Sequence, residues 1–252
     1  MAELGFRAFD SDHHYYEAED AFIRHVDRRM HPRCMQWAEV NGRKRLMVGG
    51  RVNRFIPNPT FDPVAQPGCL DEFFRGRNPE GKNMRELFGR LEPIRAAYRD
   101  RDARLAELDQ QGIDGALFFP TLGVGMQESM RHDPEAACAA FSGFNRWLEE
   151  DWGFAYQARL FAAPYLSLMD PEWAATEAEA LIERGARLLC MVPGPVPVGG
   201  ESRSLADPAY DGVWARINEA GITVACHSGD AGYRAFTAEA WGGTREFKAF
   251  DF

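Results

Sequence analysis

The chain has 252 residues, of which 45% are hydrophobic and 27% are charged, so its composition excludes a disordered or fibrous protein. This length suits one large domain, and we predict a single domain over residues 1–252. A net charge of -9 opposes binding to nucleic acid or to an anionic membrane surface.

The features that report cellular location favour the cytoplasm. The N-terminus lacks the basic start and apolar run of a secretory signal, and no stretch approaches the roughly 18 apolar residues of a membrane span. The 5 cysteines form no CxxC pair and their number is odd. We therefore expect reduced thiols in a cytoplasmic protein.

The first predicted strand runs from Gly5 to Asp12 and leads into a polar segment, with FDSDHHYYE at positions 9–17. A long segment rich in Gly, Pro and Arg follows, from about 18 to 92, and we interpret it as an insertion rather than as a second domain. Within it, Lys44 to Ile56 has a Gly-Gly pair between two arms that contain apolar residues. This pattern predicts a β-hairpin.

A unit used three times follows, in which a helical stretch ends at a glycine and a short apolar run comes next; the glycines are Gly112, Gly185 and Gly221. Each glycine suits the left-handed residue that ends a helix, and each apolar run has the length of a buried parallel strand. A helix at about Pro134 to Trp152, with an apolar run from Arg159 to Leu168, adds a further unit. The pattern predicts an α/β fold with a parallel sheet of about five strands.

This strand count falls short of a closed barrel. An eight-stranded (β/α) barrel needs about 250 residues without insertions, and this chain places about 75 of its residues in one insertion. The last segment, REFKAFDF, contains no closing element. Two alternatives remain, a C-terminally truncated barrel or an open sheet, and we favour the truncated barrel.

Metal-ligand residue types lie where two of the predicted strands end. Side chains alternate along a strand, so Asp12 and His14 are predicted on one face together with Asp10, and His13 on the opposite face. Carboxylate and imidazole can bind one divalent cation at about 2.0 to 2.2 Å. His227 ends the third repeated unit, in VACHSGD, and is expected to face the same cavity, whereas we expect its neighbour Cys226 to pack in the interior.

The segments FDSDHHYYE, LDQQGIDGALFFPT, FNRWLEE and ACHSGD together resemble the amidohydrolase-related superfamily, in the amidohydrolase 2 type branch similar to aminocarboxymuconate-semialdehyde decarboxylase and γ-resorcylate decarboxylase. The resemblance implies a TIM-type (β/α) barrel of the metal-dependent hydrolase superfamily, here with about five of eight β/α units. It also implies a DxH ligand pair at Asp12 and His14, with a further ligand at His227. The implied cofactor is one divalent metal ion, with Zn as first choice and Mn or Fe as alternatives, and a homodimer is the implied assembly.

The chain departs from the family pattern at its C-terminal side. The family's remaining acid-base groups, a histidine near the sixth strand and an aspartate after the eighth, would lie beyond Phe252. We therefore expect this chain to be weakly active or inactive, with His227 and Asp230 as its candidate catalytic residues. Glu17 is assigned to the substrate pocket, or to support of the ligands or of the next segment, and Trp241 to a pocket wall, with burial in the core as the alternative.

The resemblance implies a metal-dependent enzyme, and a non-oxidative decarboxylase (carboxy-lyase) of a small carboxylated aromatic or unsaturated substrate is the first hypothesis. A metal-dependent hydrolase of a lactone, ester or amide is the alternative, because both reactions use the same ligands. A third hypothesis is a catalytically incomplete barrel fragment that only binds a partner or ligand.

Overall fold

The computed structural model describes residues 5–55 and 62–243. Its strands are, in chain order, β1 (Ala8–His14), β2 (Met35–Val40), β3 (Arg43–Val48), β4 (Arg51–Val52), β5 (Val64–Ala65), β6 (Leu91–Glu92), β7 (Ile113–Phe119), β8 (Leu160–Ala162), β9 (Leu188–Met191), β10 (Val196–Val198), β11 (Glu201–Arg203) and β12 (Thr223–Cys226). Its α-helices are α1 (Asp71–Phe74), α2 (Met84–Leu87), α3 (Arg101–Gln111), α4 (Met126–Ser129), α5 (Pro134–Asp151), α6 (Pro171–Glu183), α7 (Asp211–Ala220) and α8 (Arg234–Thr237). None of these helices combines the length and apolarity that crossing a bilayer requires.

Five of the strands run parallel and follow one another in chain order, namely β1, β7, β8, β9 and β12. Hydrogen bonds join β1, β7 and β8 into one sheet and β9 and β12 into another, and a parallel bridge between Tyr165 and Cys190 connects the two. A helix lies between each successive pair of these strands. The predicted α/β fold with a parallel sheet is confirmed, whereas the described residues form no closed barrel.

Sequence signals at the helix ends explain where these helices begin and end. Asp100, Asp133 and Asp170 precede α3, α5 and α6, and each side chain accepts a hydrogen bond from a backbone N–H of the first turn. Gly112 ends α3 and Gly221 ends α7 in the left-handed conformation, with φ of 71° and 63°. The chain therefore re-enters the sheet at the positions that the repeated units predict.

The hydrophobic core packs α5 against the carboxyl half of the parallel sheet. Trp147 and Trp152 are each 1% exposed, and the ring of Tyr15, which follows β1, lies 5.7 Å and 5.3 Å from them. Phe118 of β7 lies 5.5 Å from the Trp152 ring. Large aromatic contacts of this kind contribute strongly to stability, so the ends of β1 and β7 are held rigidly.

The segment between β1 and α3 contains an antiparallel sheet with the order β2, β3, β4. Gly49 and Gly50 lie between β3 and β4, where a hairpin is predicted, and Ile56 lies outside the described residues. The longer hairpin joins β2 to β3 through Asn41 and Gly42, whose φ values of 53° and 68° suit a type I′ turn. This Asn-Gly turn was not among the predicted elements.

Both outer strands of the parallel arrangement have one unpaired edge within the described residues. β1 pairs with β7 alone, and β12 pairs with β9 alone. The side chain of Phe9 is 54% exposed, and Cys226 is exposed as well. The expectation that Cys226 packs in the interior is therefore wrong, because no described strand covers that side of β12.

Candidate metal centre

The carboxyl end of β1 is irregular, and this irregularity sets the directions of its side chains. Asp10 pairs with Ala116 and His13 with Phe118, so three steps along β1 match two steps along β7. An extra residue of this kind is a β-bulge, which shifts the alternation of side chains. The prediction that Asp10 shares a face with Asp12 and His14 is wrong for this reason, since Asp10 instead contacts His13, at 2.6 Å between Oδ2 and Nδ1.

Beyond the bulge, Asp12 and His14 meet His227, which follows β12. The Nε2 atom of His227 lies 3.0 Å from Oδ1 of Asp12 and 3.1 Å from Nε2 of His14. Nε2 of His14 lies 3.6 Å from the same carboxylate oxygen. The structure thus brings together the three residues that were predicted as ligands from opposite ends of the chain.

Hydrogen bonds fix the orientation of both imidazole rings. Nδ1 of His14 lies 3.2 Å from the carbonyl oxygen of Pro120, and Nδ1 of His227 lies 2.6 Å from the carbonyl oxygen of Ser228. A carbonyl oxygen only accepts hydrogen bonds, so each Nδ1 carries a proton and donates it. In the neutral rings both Nε2 atoms then present lone pairs toward Asp12, an arrangement that a cation stabilises.

The distances within this triad suit a metal ion of ordinary size. At bond lengths of about 2.0 to 2.2 Å, two ligands of one ion lie about 3.0 Å apart at a right angle and about 3.4 Å apart at the tetrahedral angle. The three observed separations span 3.0 to 3.6 Å. Two imidazole nitrogens and one carboxylate oxygen are ligands that Zn, Mn and Fe accept, so the residues fit a divalent metal.

Burial favours the neutral, metal-binding form of His14. Its pKa is lowered, first by burial and then by the neighbouring His227, while Asp12 acts in the opposite direction. The side chain of Asp12 is 71% exposed and that of His227 is 15% exposed, so the triad is open to solvent on its Asp12 side. A small molecule can approach the triad from that side.

Glu17 is 2% exposed and does not line an open cavity. Its Oε1 accepts hydrogen bonds from the backbone N–H groups of Leu122 and Gly123, at 2.8 and 3.0 Å. Burial raises its pKa to about 7. In this structure Glu17 therefore holds the loop after β7. This is the predicted supporting role and not the alternative, direct contact with a substrate.

Trp241 is 87% exposed, so it does not lie in the core of the described structure. The expectation of burial in the core is wrong, because the short helical turn Glu239–Trp241 follows α8 at the edge of the described residues, whereas the assignment to a pocket wall stays a prediction.

Asp230 follows His227 by three residues and lines a cavity of about 810 Å³, which also borders β4 and α4. Burial, and to a lesser extent the charge of Glu128, raise the pKa of Asp230 to about 6. The cavity includes three arginines, Arg51, Arg54 and Arg131. These arginines were not predicted as site residues, since nothing in their local sequence distinguishes them from the other surface arginines.

Fold and triad together define the class: an α/β protein whose parallel strands present a candidate metal-binding triad at their carboxyl ends.

No known protein-family profile and no curated protein matches the chain. Among solved structures, an amidohydrolase from Mycobacterium avium subsp. paratuberculosis K-10 aligns with 95% of this chain at 45% identity and a TM-score of 0.89. The alignment covers 63% of that amidohydrolase, so this chain spans less than two thirds of its length.

Two structures of 5-carboxyvanillate decarboxylase from Novosphingobium aromaticivorans DSM 12444, both with manganese and a nitrobenzoic acid, align with 96% of the chain at 16% identity and a TM-score of 0.47. They are covered to 57% and 56% of their lengths, and a likeness this distant informs neither fold nor reaction. The predicted family is confirmed: at 45% identity over 95% of its length, the chain belongs to the amidohydrolase family of the mycobacterial structure.

Proposed function

We propose that the chain is the metal-binding part of a metal-dependent amidohydrolase-family enzyme, and that its reaction is the non-oxidative decarboxylation of a small carboxylated substrate. The observation that carries the proposal is the convergence of Asp12, His14 and His227 at separations of 3.0 to 3.6 Å, with both Nδ1 atoms already donating to carbonyl oxygens. The 45% identical amidohydrolase supports the metal-dependent level of this proposal.

The proposal includes a complete (β/α) barrel. The five parallel strands are the first five of an eight-stranded barrel, and the unpaired edges of β1 and β12 are where the remaining strands pair. Their parallel direction, their order along the chain and the exposed Phe9 support this arrangement. The segment 18–92 is an insertion in this single domain.

In this proposal Asp12, His14 and His227 bind the ion, and the arginines of the cavity bind the substrate. A bound divalent ion would supply Lewis-acid stabilisation of negative charge on a substrate oxygen, or activation of water. The cavity is lined by Arg51, Arg54 and Arg131, and guanidinium groups bind carboxylates through charge-assisted hydrogen bonds, which favours a carboxylated substrate over a neutral lactone, ester or amide. The hydrolase is therefore the second candidate.

Asp230 is the proposed proton carrier. In a decarboxylation the bond from carbon to carboxylate breaks, CO2 leaves, and a proton takes its place on carbon. A carboxyl with a pKa of about 6 is partly protonated near neutral pH and can deliver that proton.

The first experiment measures metal and product. The purified chain is expected to contain about one equivalent of Zn, Mn or Fe by mass spectrometry, and Asp12→Ala is expected to lose it. Asp27→Ala, which removes an exposed carboxylate paired with Arg29, is the control and should keep the metal. Release of CO2 from carboxylated aromatic acids supports the decarboxylase, hydrolysis of lactones or amides supports the second candidate, and a chain that binds no metal refutes both.

Asp230→Asn is expected to lower kcat by about a hundredfold at an unchanged metal content, because general acid catalysis of this kind contributes about 10²- to 10⁴-fold. Asp207→Asn is the control, since Asn can also accept the backbone hydrogen bond that Asp207 accepts from Ala209. Steady-state rates of CO2 release measure the effect. An unchanged kcat would assign the proton transfer to another group.

A further inference from the structure

A buried arginine lies behind the candidate ligands and contributes nothing to the triad itself. Arg104, the fourth residue of α3, is 5% exposed. Its Nη1 lies 2.6 Å from Nε2 of His13, its Nε donates to the carbonyl oxygen of Ala97, and its Nη2 donates to the carbonyl oxygen of His14 at 3.4 Å. The guanidinium thus contacts the backbone of a candidate metal ligand directly.

The direction of each hydrogen bond follows from the arginine. A guanidinium has only donors, so Nε2 of His13 accepts and Nδ1 of His13 carries the proton. That proton is donated to Oδ2 of Asp10 at 2.6 Å. The other oxygen of Asp10 accepts a hydrogen bond from the backbone N–H of Asp12 at 3.0 Å.

The chain of contacts therefore begins and ends on the backbones of both ligands that β1 supplies. Arg104 holds the carbonyl of His14, and Asp10 holds the amide of Asp12. Between them lies the bulge, where residues 11 and 12 have no partner in the ladder with β7. The side chains of Arg104, His13 and Asp10 supply hydrogen bonds at the point where the sheet does not.

Stability alone is a weak reason for this arrangement. A buried guanidinium loses its hydration, and among the described residues no carboxylate is bonded directly to Arg104, since Asp10 reaches it through His13. Apolar side chains of similar volume often stabilise such a position equally well. The rings of Tyr98 and Phe118, at 5.2 and 5.7 Å, offset part of the lost hydration.

We infer that Asp10, His13 and Arg104 form a positioning network that fixes the bulge of β1 and directs Asp12 and His14 toward one cation. The inference rests on the proposed metal site, and it assigns to His13 a role that the motif Asp12-His13-His14 leaves open. Residues behind a metal's ligands typically change its affinity by about 10- to 100-fold when they are replaced.

The decisive variant is Arg104→Met, which keeps length and apolar contacts and removes every donor. The dissociation constants of Zn²⁺ and Mn²⁺, measured by competition with a chromophoric chelator, are expected to rise at least tenfold. Leu108→Ala, a fully buried change on the same helix, is the control: it lowers stability and is expected to leave the affinity of the folded protein unchanged. Arg104→Lys keeps the charge without the forked donors and is expected to fall between Arg104→Met and wild type.

If Arg104→Met does not fold, the metal affinity of His13→Asn replaces it as the test. The Asn amide can still donate to Asp10, but it has no acceptor at the position where Nε2 of His13 meets Arg104. Affinities within twofold of wild type, or an equal loss in Leu108→Ala, overturn the inference. A wild-type chain that binds no metal refutes the proposed function instead. In that case the ¹⁵N chemical shifts of the imidazole rings test the network. We expect His13 to be protonated at Nδ1 in wild type, and His14 to lose its single tautomer in Arg104→Met. If neither is observed, the inference is overturned.

Discussion

His227→Ala is expected to weaken binding of a divalent metal by about a hundredfold or more and to abolish turnover. Zinc bound by four protein ligands in small domains contributes about 10 to 16 kcal/mol, so one ligand accounts for about 3 kcal/mol, or about a hundredfold in affinity. Removal of the imidazole also leaves Asp12 and His14 without the third metal ligand, the Nε2 atom that lies 3.0 and 3.1 Å from them. Chelator competition at a fixed pH gives the dissociation constants.

His25→Ala is the matched control, since His25 is not a member of the triad and pairs with the exposed Glu150 at 3.0 Å. Its metal affinity and turnover should equal those of wild type. Thermal unfolding in the absence of metal should be similar for both variants, because both histidine side chains are partly exposed and neither belongs to the buried core. An unchanged affinity in His227→Ala would remove the observation that carries the proposed function.

The candidate ligands could be predicted from the sequence because their positions depend on a simple rule. Parallel strands end at the same edge of a sheet, so polar groups that follow two such strands meet there. Asp12, His14 and His227 obey this rule although 213 positions separate the two histidines. The ends of α3 and α7 were predictable for an equally local reason, a glycine in the left-handed conformation.

Features that depend on neighbouring elements were not predictable in this way. Alternation along β1 assumes a regular ladder, but the bulge beside the contact between Asp10 and His13 is a feature of the pairing with β7, which the sequence of β1 alone does not report. A clue to Arg104 was its place one residue before Leu105 and four before Leu108, on the apolar face of α3. The exposure of Cys226 and Trp241 depends on which elements cover β12, and apolarity of sequence does not report that cover.

Glu17→Gln is expected to remove a pH dependence of stability worth about 3 kcal/mol. Burial raises the pKa of Glu17 from 4.5 to about 7 in the folded chain. The folded chain therefore binds a proton more tightly than the unfolded chain, so this group's stabilising contribution is full below pH 4.5 and is lost as the pH rises to about 7. The difference in pKa corresponds to about 3 kcal/mol. Urea unfolding at pH 5 and pH 8 measures it.

Glutamine preserves the structural contacts, which makes the comparison specific for charge. Its amide oxygen can still accept from Leu122 and Gly123, and its NH2 group replaces Oε2, which has no hydrogen-bond partner among the described residues. Wild type is expected to lose stability between pH 5 and pH 8 relative to Glu17→Gln. Glu19→Gln, at an exposed neighbour that pairs with Lys44, should follow wild type at both pH values. Parallel curves for wild type and Glu17→Gln would mean that Glu17 does not titrate in this range.

Glu17→Ala separates the hydrogen bonds from the charge. It leaves two buried backbone N–H groups without their acceptor, which costs about 1 to 3 kcal/mol for each group, so this variant should be less stable than Glu17→Gln at every pH. The same loop contains Pro120, whose carbonyl oxygen accepts from Nδ1 of His14. A loop loosened by Glu17→Ala is therefore expected to weaken metal binding as well, whereas Glu17→Gln, with the loop still held, should bind metal as wild type does.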